Sequence, residues 1–375
     1  MINKLVNKER NSSIELLKIV GIFAIVINHV VQTLTTGSDM DYLINVSHSS
    51  NDFTVLALNF LRYLGVFGNS IFFICTAWFL INSKGFNCKK WLSMIANAWI
   101  ISAIILVVSI MIGADLNKEM FLKSVFPTIL ESNWYLTCYV IFYAIHPFLN
   151  LIIRNTTQKQ HLRIATSLAV AYLGMATLKS DLLFCTKLTI WIAIYFVITY
   201  LKLYAPKFID SKKTNIVLSV AGIVGTIGLL AATNIAGQHF GFMSDKLQHW
   251  AINNNPFILM LVFGIFNLVR RKTFTSRAIN YVAGMSLWIY LIHENIIVRR
   301  LFRPAVWVWL YENVKWAYPY TAIALFSIAL FVVSLLISIV YSVTINKIVN
   351  KLVLIAYEPI CKKLAKAEDR VLRVK

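Results

Sequence analysis

Apolar positions run along the chain in long blocks, without the short apolar–polar alternation of half-buried strands. Ten such runs lie near 14–34, 55–81, 91–113, 134–153, 164–178, 182–201, 214–235, 256–269, 278–298 and 321–346. Most approach the roughly 20 residues a helix needs to cross the hydrocarbon core of a bilayer. The segments between them are short, and the longest are 35–54, 114–133, 236–255 and 299–320. The pattern predicts an all-α polytopic membrane bundle of about ten transmembrane helices over residues 1–346. The basic remainder, 347–375, reads as an amphipathic helix resting on the membrane surface.

Three runs break the pattern. The fifth is short and contains Gly174. The second, "FTVLALNFLRYLGVFGNSIFFICTAWFLI", carries Arg62 and a "GVFGNS" interruption at 65–70, which reads equally as a re-entrant break and as a packing kink. The first, "RNSSIELLKIVGIFAIVINHV" at 10–30, holds Glu15, Lys18 and His29, and no small-x-small cleavage site follows it. It is therefore read as a retained helix and not as a removable signal. His146-Pro147 in the fourth run reads as a kink.

Composition agrees with the pattern. Hydrophobic residues make up 58% of the 375 and charged residues 14%, against about a quarter charged in a soluble domain. A net charge of +20 raises nucleic acid as a partner, but its distribution excludes that reading. With the N-terminus inside, the inner segments and Lys18 hold 26 of the 36 basic residues and six of the 16 acids, so the whole excess lies on one side. Short Lys/Arg-rich loops stay cytoplasmic, and the expectation is that both termini are cytoplasmic. The five cysteines show no paired spacing and no metal-ligand cluster. Cys138 and Cys185 both fall near the expected outer face, where a disulfide is conceivable; buried, unpaired thiols are the expected state.

Ionisable groups inside membrane spans usually face protein or an aqueous cavity, because lipid exposure costs at least a few kcal/mol. His29 lies fifteen residues beyond Ile14, about 22 Å along the axis at 1.5 Å per residue. In the ninth run, "SRAINYVAGMSLWIYLIHENI", His293 lies fifteen residues beyond Ala278, entering from the same side. Two imidazoles from distant spans are thus expected at one depth. Lys18 sits eleven residues before His29, about three turns nearer the cytoplasm on a similar face. A cation inside and a titratable base outside suit moving something activated from one side to an acceptor on the other. Each residue also has a plainer reading. The histidines are also explained as hydrogen-bonded packing residues, Lys18 as a side chain snorkelling to the inner interface, and Glu15 as its helical counter-ion.

At these residues the chain resembles the acyltransferase type 3 family of integral-membrane O-acyltransferases. That family's first helix has an acid, an arginine three residues later and a histidine eleven after that. Glu15 and His29 match, while Lys18 keeps the charge but loses the bidentate fork of arginine. "FFICTAWFL" at 72–80 is similar to the family's Phe-Phe-x-x-Ser-Gly-Tyr motif, with Thr76, Ala77 and Trp78 in the last three places. Lys89 and Lys90 in "NCKKWLSM" loosely fill the place of its basic pair, "NWYLTCYVIFYAIHPFLN" at 133–150 resembles its fourth helix, and "SLWIYLIHENI" at 286–296 its late His element.

The resemblance implies transfer of an acyl group, by default acetyl, from cytoplasmic acyl-CoA to a hydroxyl of an extracytoplasmic glycan or lipid-linked glycan. It implies no metal. The bacterial cytoplasmic membrane is the expected location and membrane lipid the constant surrounding. Some relatives carry an outer esterase-like domain that this chain is expected to lack, so transfer would be direct or rely on a glycan-assembly partner.

His29 is the candidate base or acyl carrier, and His293 would orient it or share its proton. Lys18 with Glu15, and Lys89 with Lys90, are candidates for the CoA phosphates. Thr76 and the backbone around "GVFGNS" are candidates for an oxyanion. Trp134 and Tyr135 mark the outer interface, with acceptor binding as a further role. In "RRLFRPAVWVWLYENVKWAYPY" at 299–320, Arg299, Arg300 and Arg303 beside Trp307, Trp309, Trp316 and Tyr318 suit an anionic glycan or pyrophosphate. An interfacial helix held by its aromatic belt explains that stretch too. The rival function is export or flipping of a polysaccharide or lipid-linked intermediate; a third is a non-enzymatic subunit of a glycan-assembly complex.

Overall fold

A computed structural model describes residues 10–35, 49–83, 85–175, 187–241, 255–314 and 319–372. Cys185, Trp316 and Tyr318 lie outside the described residues, and with Cys185 the conceivable Cys138 disulfide. No strand occurs among the described residues. The helices are α1 (Ser12–Thr35), α2 (Phe53–Leu80), α3 (Cys88–Met111), α4 (Lys118–Val125), α5 (Trp134–Arg154) and α6 (Gln158–Ala169), which passes into a π-helix over Val170–Met175. Then come α7 (Lys187–Tyr204), α8 (Pro206–Asp210), α9 (Lys212–His239), α10 (Pro256–Arg270), α11 (Arg277–Gly284) and α12 (Ser286–His293). A π-helical turn over Val298–Phe302 leads to α13 (Arg303–Val314), α14 (Pro319–Val343) and α15 (Ile345–Leu372).

Seven of these helices are long and apolar enough to cross a membrane: α1, α2, α3, α5, α7, α9 and α14. An eighth span is bent by 67° where Arg277–His293 meets Val298–Leu310. The remaining two expected runs are shorter within the described residues: α10 has 15 residues, and the fifth run is broken by the π-helix at Val170–Met175.

The first helix lies at the centre of the bundle, packed on α2, α10, α11, α12, α13 and α14. Its closest neighbour is α2, and the two glycines of "GVFGNS" explain the approach. A Cβ at Gly65 would lie 2.5 Å from Nδ2 of Asn28, and one at Gly68 only 2.3 Å from the Gly21 carbonyl oxygen. Helix α2 runs unbroken through 65–70. The re-entrant reading therefore gives way to close packing between small residues, and the helical amides there are already engaged in the backbone ladder.

The C-terminal end of α2 leaves carbonyl oxygens without helical donors, and polar groups from other helices meet them. Lys202 donates to Trp78 O at 2.5 Å, Asn150 to Leu80 O at 2.9 Å and Arg154 to Ile81 O at 3.3 Å. Cations at a helix C-terminus also suit the macrodipole.

At the far end of the chain, α15 packs on α3 through Val349 and Val353, and a disulfide joins Cys88 to Cys361. This corrects the expectation of unpaired thiols for those two positions; Cys75 and Cys138 are buried and free. The pair is 273 residues apart, so no local spacing announces it. Ile348, Leu352 and Ile355 form an exposed apolar stripe on α15 beside Lys347 and Lys351.

Candidate active site

The two histidines of the sequence meet. His29 Nδ1 lies 3.0 Å from His293 Nε2, and the ring centroids are 5.2 Å apart. His29 stands on α1; His293 closes α12, directly before the bend. The bend brings a third residue into the cluster. Glu294 Oε2 is also 3.0 Å from His29 Nδ1. Arg299 contacts Glu294 Oε1 at 3.0 Å and Arg303 contacts Oε2 at 3.3 Å. Glu294 and Arg303 are each only 3% exposed. A buried carboxylate is tolerable when its charge is met by hydrogen-bonded partners, and here two guanidinium groups and an imidazole meet it.

The hydrogen-bond chain fixes where the protons lie. His293 Nδ1 is 2.6 Å from the Ile289 carbonyl oxygen, which can only accept. Nδ1 of His293 therefore donates, and in the neutral ring its Nε2 accepts. A carboxylate likewise only accepts. His29 Nδ1 must then carry the proton shared toward His293 and Glu294. What remains in the neutral ring is His29 Nε2, an unprotonated nitrogen able to act as a base and oriented by the two residues behind it.

His29, His293 and Glu294 also place three ligand atoms within 4.8 Å of one another, near enough to hold one metal ion. The two guanidinium groups on Glu294 oppose a further cation there. The donor set fits a proton network better than a metal centre.

Two cavities lie along α1, and the first reaches this cluster. One, of about 440 Å³, is lined by His29, Glu294 and Arg299 together with Asn28, Gln32, Arg62, Asn69, Trp134, Lys187 and Trp191. The other, of about 400 Å³, is lined by Lys18, Lys90, Cys75, Thr76, Tyr135, Tyr139, Ser286 and Tyr290, and by Asn69 again. Asn69 belongs to both walls. Lys18 lies on the N-terminal part of α1 and His29 on its C-terminal part, so the cavities open in sequence along that helix.

The candidate residues sort between these spaces. Lys18 stands in the second cavity and is bonded to Glu15 at 3.0 Å. Lys90 joins it, its ammonium 5.4 Å from the Tyr143 ring. Lys89 is exposed at the start of α3 and lines neither space. Thr76 and Tyr135 face the second cavity, while Trp134 faces the first. Of the three arginines after the bend, Arg299 lines the first cavity, Arg303 buttresses Glu294 and also reaches the His293 carbonyl oxygen at 3.5 Å. Arg300 turns away to Glu119 on α4 at 3.3 Å. Glu119, outside the membrane-spanning helices, is held below the usual carboxylate range by the Lys123 hydrogen bond and by Arg300. Trp307 is buried and Trp309 exposed, and neither lines a cavity. His146 bonds the Tyr143 carbonyl oxygen within α5, away from both spaces.

Reading the sequence for histidine passed over Glu294. The signal was present, since an acid in an apolar run carries the same penalty that singled out His29. Asn69, Trp191 and Lys187 gave no such signal, because neutral or interfacial residues in a membrane helix are ordinary.

A family model described as an acyltransferase domain matches residues 11–343. No curated protein and no solved structure matches the chain.

Proposed function

The chain belongs to the acyltransferase type 3 family, and from that premise we propose that this membrane acyltransferase moves an acyl group, acetyl by default, from cytoplasmic acyl-CoA to a hydroxyl of an extracytoplasmic glycan or lipid-linked glycan. The observation that carries the proposal is the His29–His293–Glu294 cluster on the wall of a cavity that shares a residue, Asn69, with a second cavity holding Lys18 and Lys90.

The second cavity takes the donor. Lys18 and Lys90 attract its phosphates at the cytoplasmic mouth, and the apolar wall around Cys75 and Tyr139 accepts the acyl chain end. The acceptor hydroxyl enters the first cavity. His29 Nε2 withdraws its proton as the hydroxyl oxygen bonds to the thioester carbon. The carbon–sulfur bond then breaks and the thiolate departs on the donor side. Glu294, through Nδ1, stabilises the imidazolium that forms, as an acid behind an imidazole does in hydrolase triads. The Asn69 amide is placed to donate to the developing oxyanion, a role that the helical backbone of "GVFGNS" does not supply.

The test is transfer itself. Purified protein in liposomes, given acyl-labelled CoA on one side and glycan acceptor on the other, is expected to label the glycan. Glycan crossing the bilayer intact with no acyl label on its hydroxyls would establish the exporter instead.

A further inference from the structure

Arg62 stands in the first half of α2 and lines the first cavity, yet it is only 6% exposed. Its Nε and Nη1 have no hydrogen-bond partner among the described residues. A desolvated guanidinium normally has an acid within reach, because burying a lone charge costs more than most single interactions return. The one carboxylate among the described residues that line this cavity, Glu294, is already engaged by Arg299, Arg303 and His29. Lys187 and Arg299 line the same space, so three cationic side chains face one neutralised acid.

The other walls describe what surrounds the missing charge. Trp134 and Trp191 offer aromatic faces, and Asn28, Gln32 and Asn69 offer amides. Ring faces stack on sugar rings, and amides meet hydroxyls in both donor and acceptor roles.

We infer that the first cavity is an anion-selective saccharide site, in which Arg62 seats a phosphate or carboxylate carried by the acceptor sugar. This rests on the reading of that cavity as the acceptor side. The paired anion completes a charge that the described residues leave open, and it draws the acceptor down to the depth of His29. Uncharged sugars lack that anchor.

Binding tests this without acyl transfer, so loss of the acyltransferase reading and loss of this inference are separable. The full chain is placed in phosphatidylcholine nanodiscs and its melting followed with glucose 1-phosphate, glucuronate or glucose. The two anions, or whichever of them the site prefers, are expected to raise Tm while glucose does not; the more effective one identifies the group. Arg62→Gln is expected to weaken that anion about 10- to 100-fold, the usual loss for a charge-assisted hydrogen bond. Should Arg62→Gln fail to fold, the wild-type chain answers by phenylglyoxal labelling read by mass spectrometry at Arg62, which the sugar anion should protect and glucose should not. Equal effects of glucose and both anions, unchanged affinity in Arg62→Gln, or protection only by added phosphatidylglycerol would overturn the inference. The last outcome would make a lipid headgroup the occupant.

Discussion

Under the proposed mechanism His29 and Glu294 act as one unit, and their substitutions should behave accordingly. His29→Ala removes the base and is expected to lower kcat by about 10²–10⁴-fold, the usual worth of a positioned acid–base group. Glu294→Gln keeps the shape but can present an amide N–H to Nδ1, which drives the His29 proton to Nε2 and removes the lone pair. Its loss should approach that of His29→Ala, and the double variant should cost little more than either alone, since residues acting as one unit are not additive. Rate measurements on the three variants at saturating donor check this; additive losses would separate the two residues. Lys18→Ala belongs to a different step. It should raise KM for acyl-CoA with kcat nearly unchanged, as removal of an interaction made equally before and during reaction does. The sequence disclosed His29 and His293 by depth alone, because a regular helix converts residue count into height. It did not disclose that His29 Nε2 is the unprotonated nitrogen. That follows from the Ile289 carbonyl oxygen and from Glu294, and a one-dimensional count contains no hydrogen-bond directions.

Among the helices, the α1–α2 pair controls the site, because Asn28 and His29 ride on α1 while Arg62 and Asn69 ride on α2. Gly68→Ala places a methyl against the Gly21 carbonyl oxygen, a backbone atom that cannot rotate aside. It should destabilise the protein by about 1–3 kcal/mol, the cost of overpacking. Gly228→Ala on α9, where nothing lies within 4 Å, should be neutral or gain up to about 1 kcal/mol from helix propensity. Thermal unfolding of the two variants in the same detergent compares them, and equal melting temperatures would dismiss the close-packing account. Periodicity found α2 but left its glycines ambiguous: the same "GVFGNS" suits a break or a contact, and only the partner helix decides. The bend after His293 was illegible for a related reason. An apolar run looks continuous through 278–298, and the ion pairs of Glu294 with Arg299 and Arg303 across the bend join residues that a one-dimensional pattern does not pair.

For the molecule as a whole, the proposed function places donor and acceptor in two cavities that share Asn69, so only the acyl group needs to pass between compartments. Neither the whole donor nor the whole acceptor has to cross, so no exchange of inward and outward states is demanded of the bundle. Asn69→Phe adds an aromatic ring where the spaces meet and should close that passage. The cation pair Lys18 and Lys90 lines one cavity, and Trp134 and Arg62 line the other. Donor and acceptor affinities should remain within a few-fold of wild type while transfer falls by at least about 10²-fold, from the displacement of reacting atoms and from loss of the amide proposed for the oxyanion. Calorimetry with a non-transferable acyl-CoA analogue and with the glycan, set beside the rate of glycan labelling, makes the comparison. If both affinities hold and transfer persists, the acyl group takes a route that avoids Asn69, and the two cavities serve separate purposes.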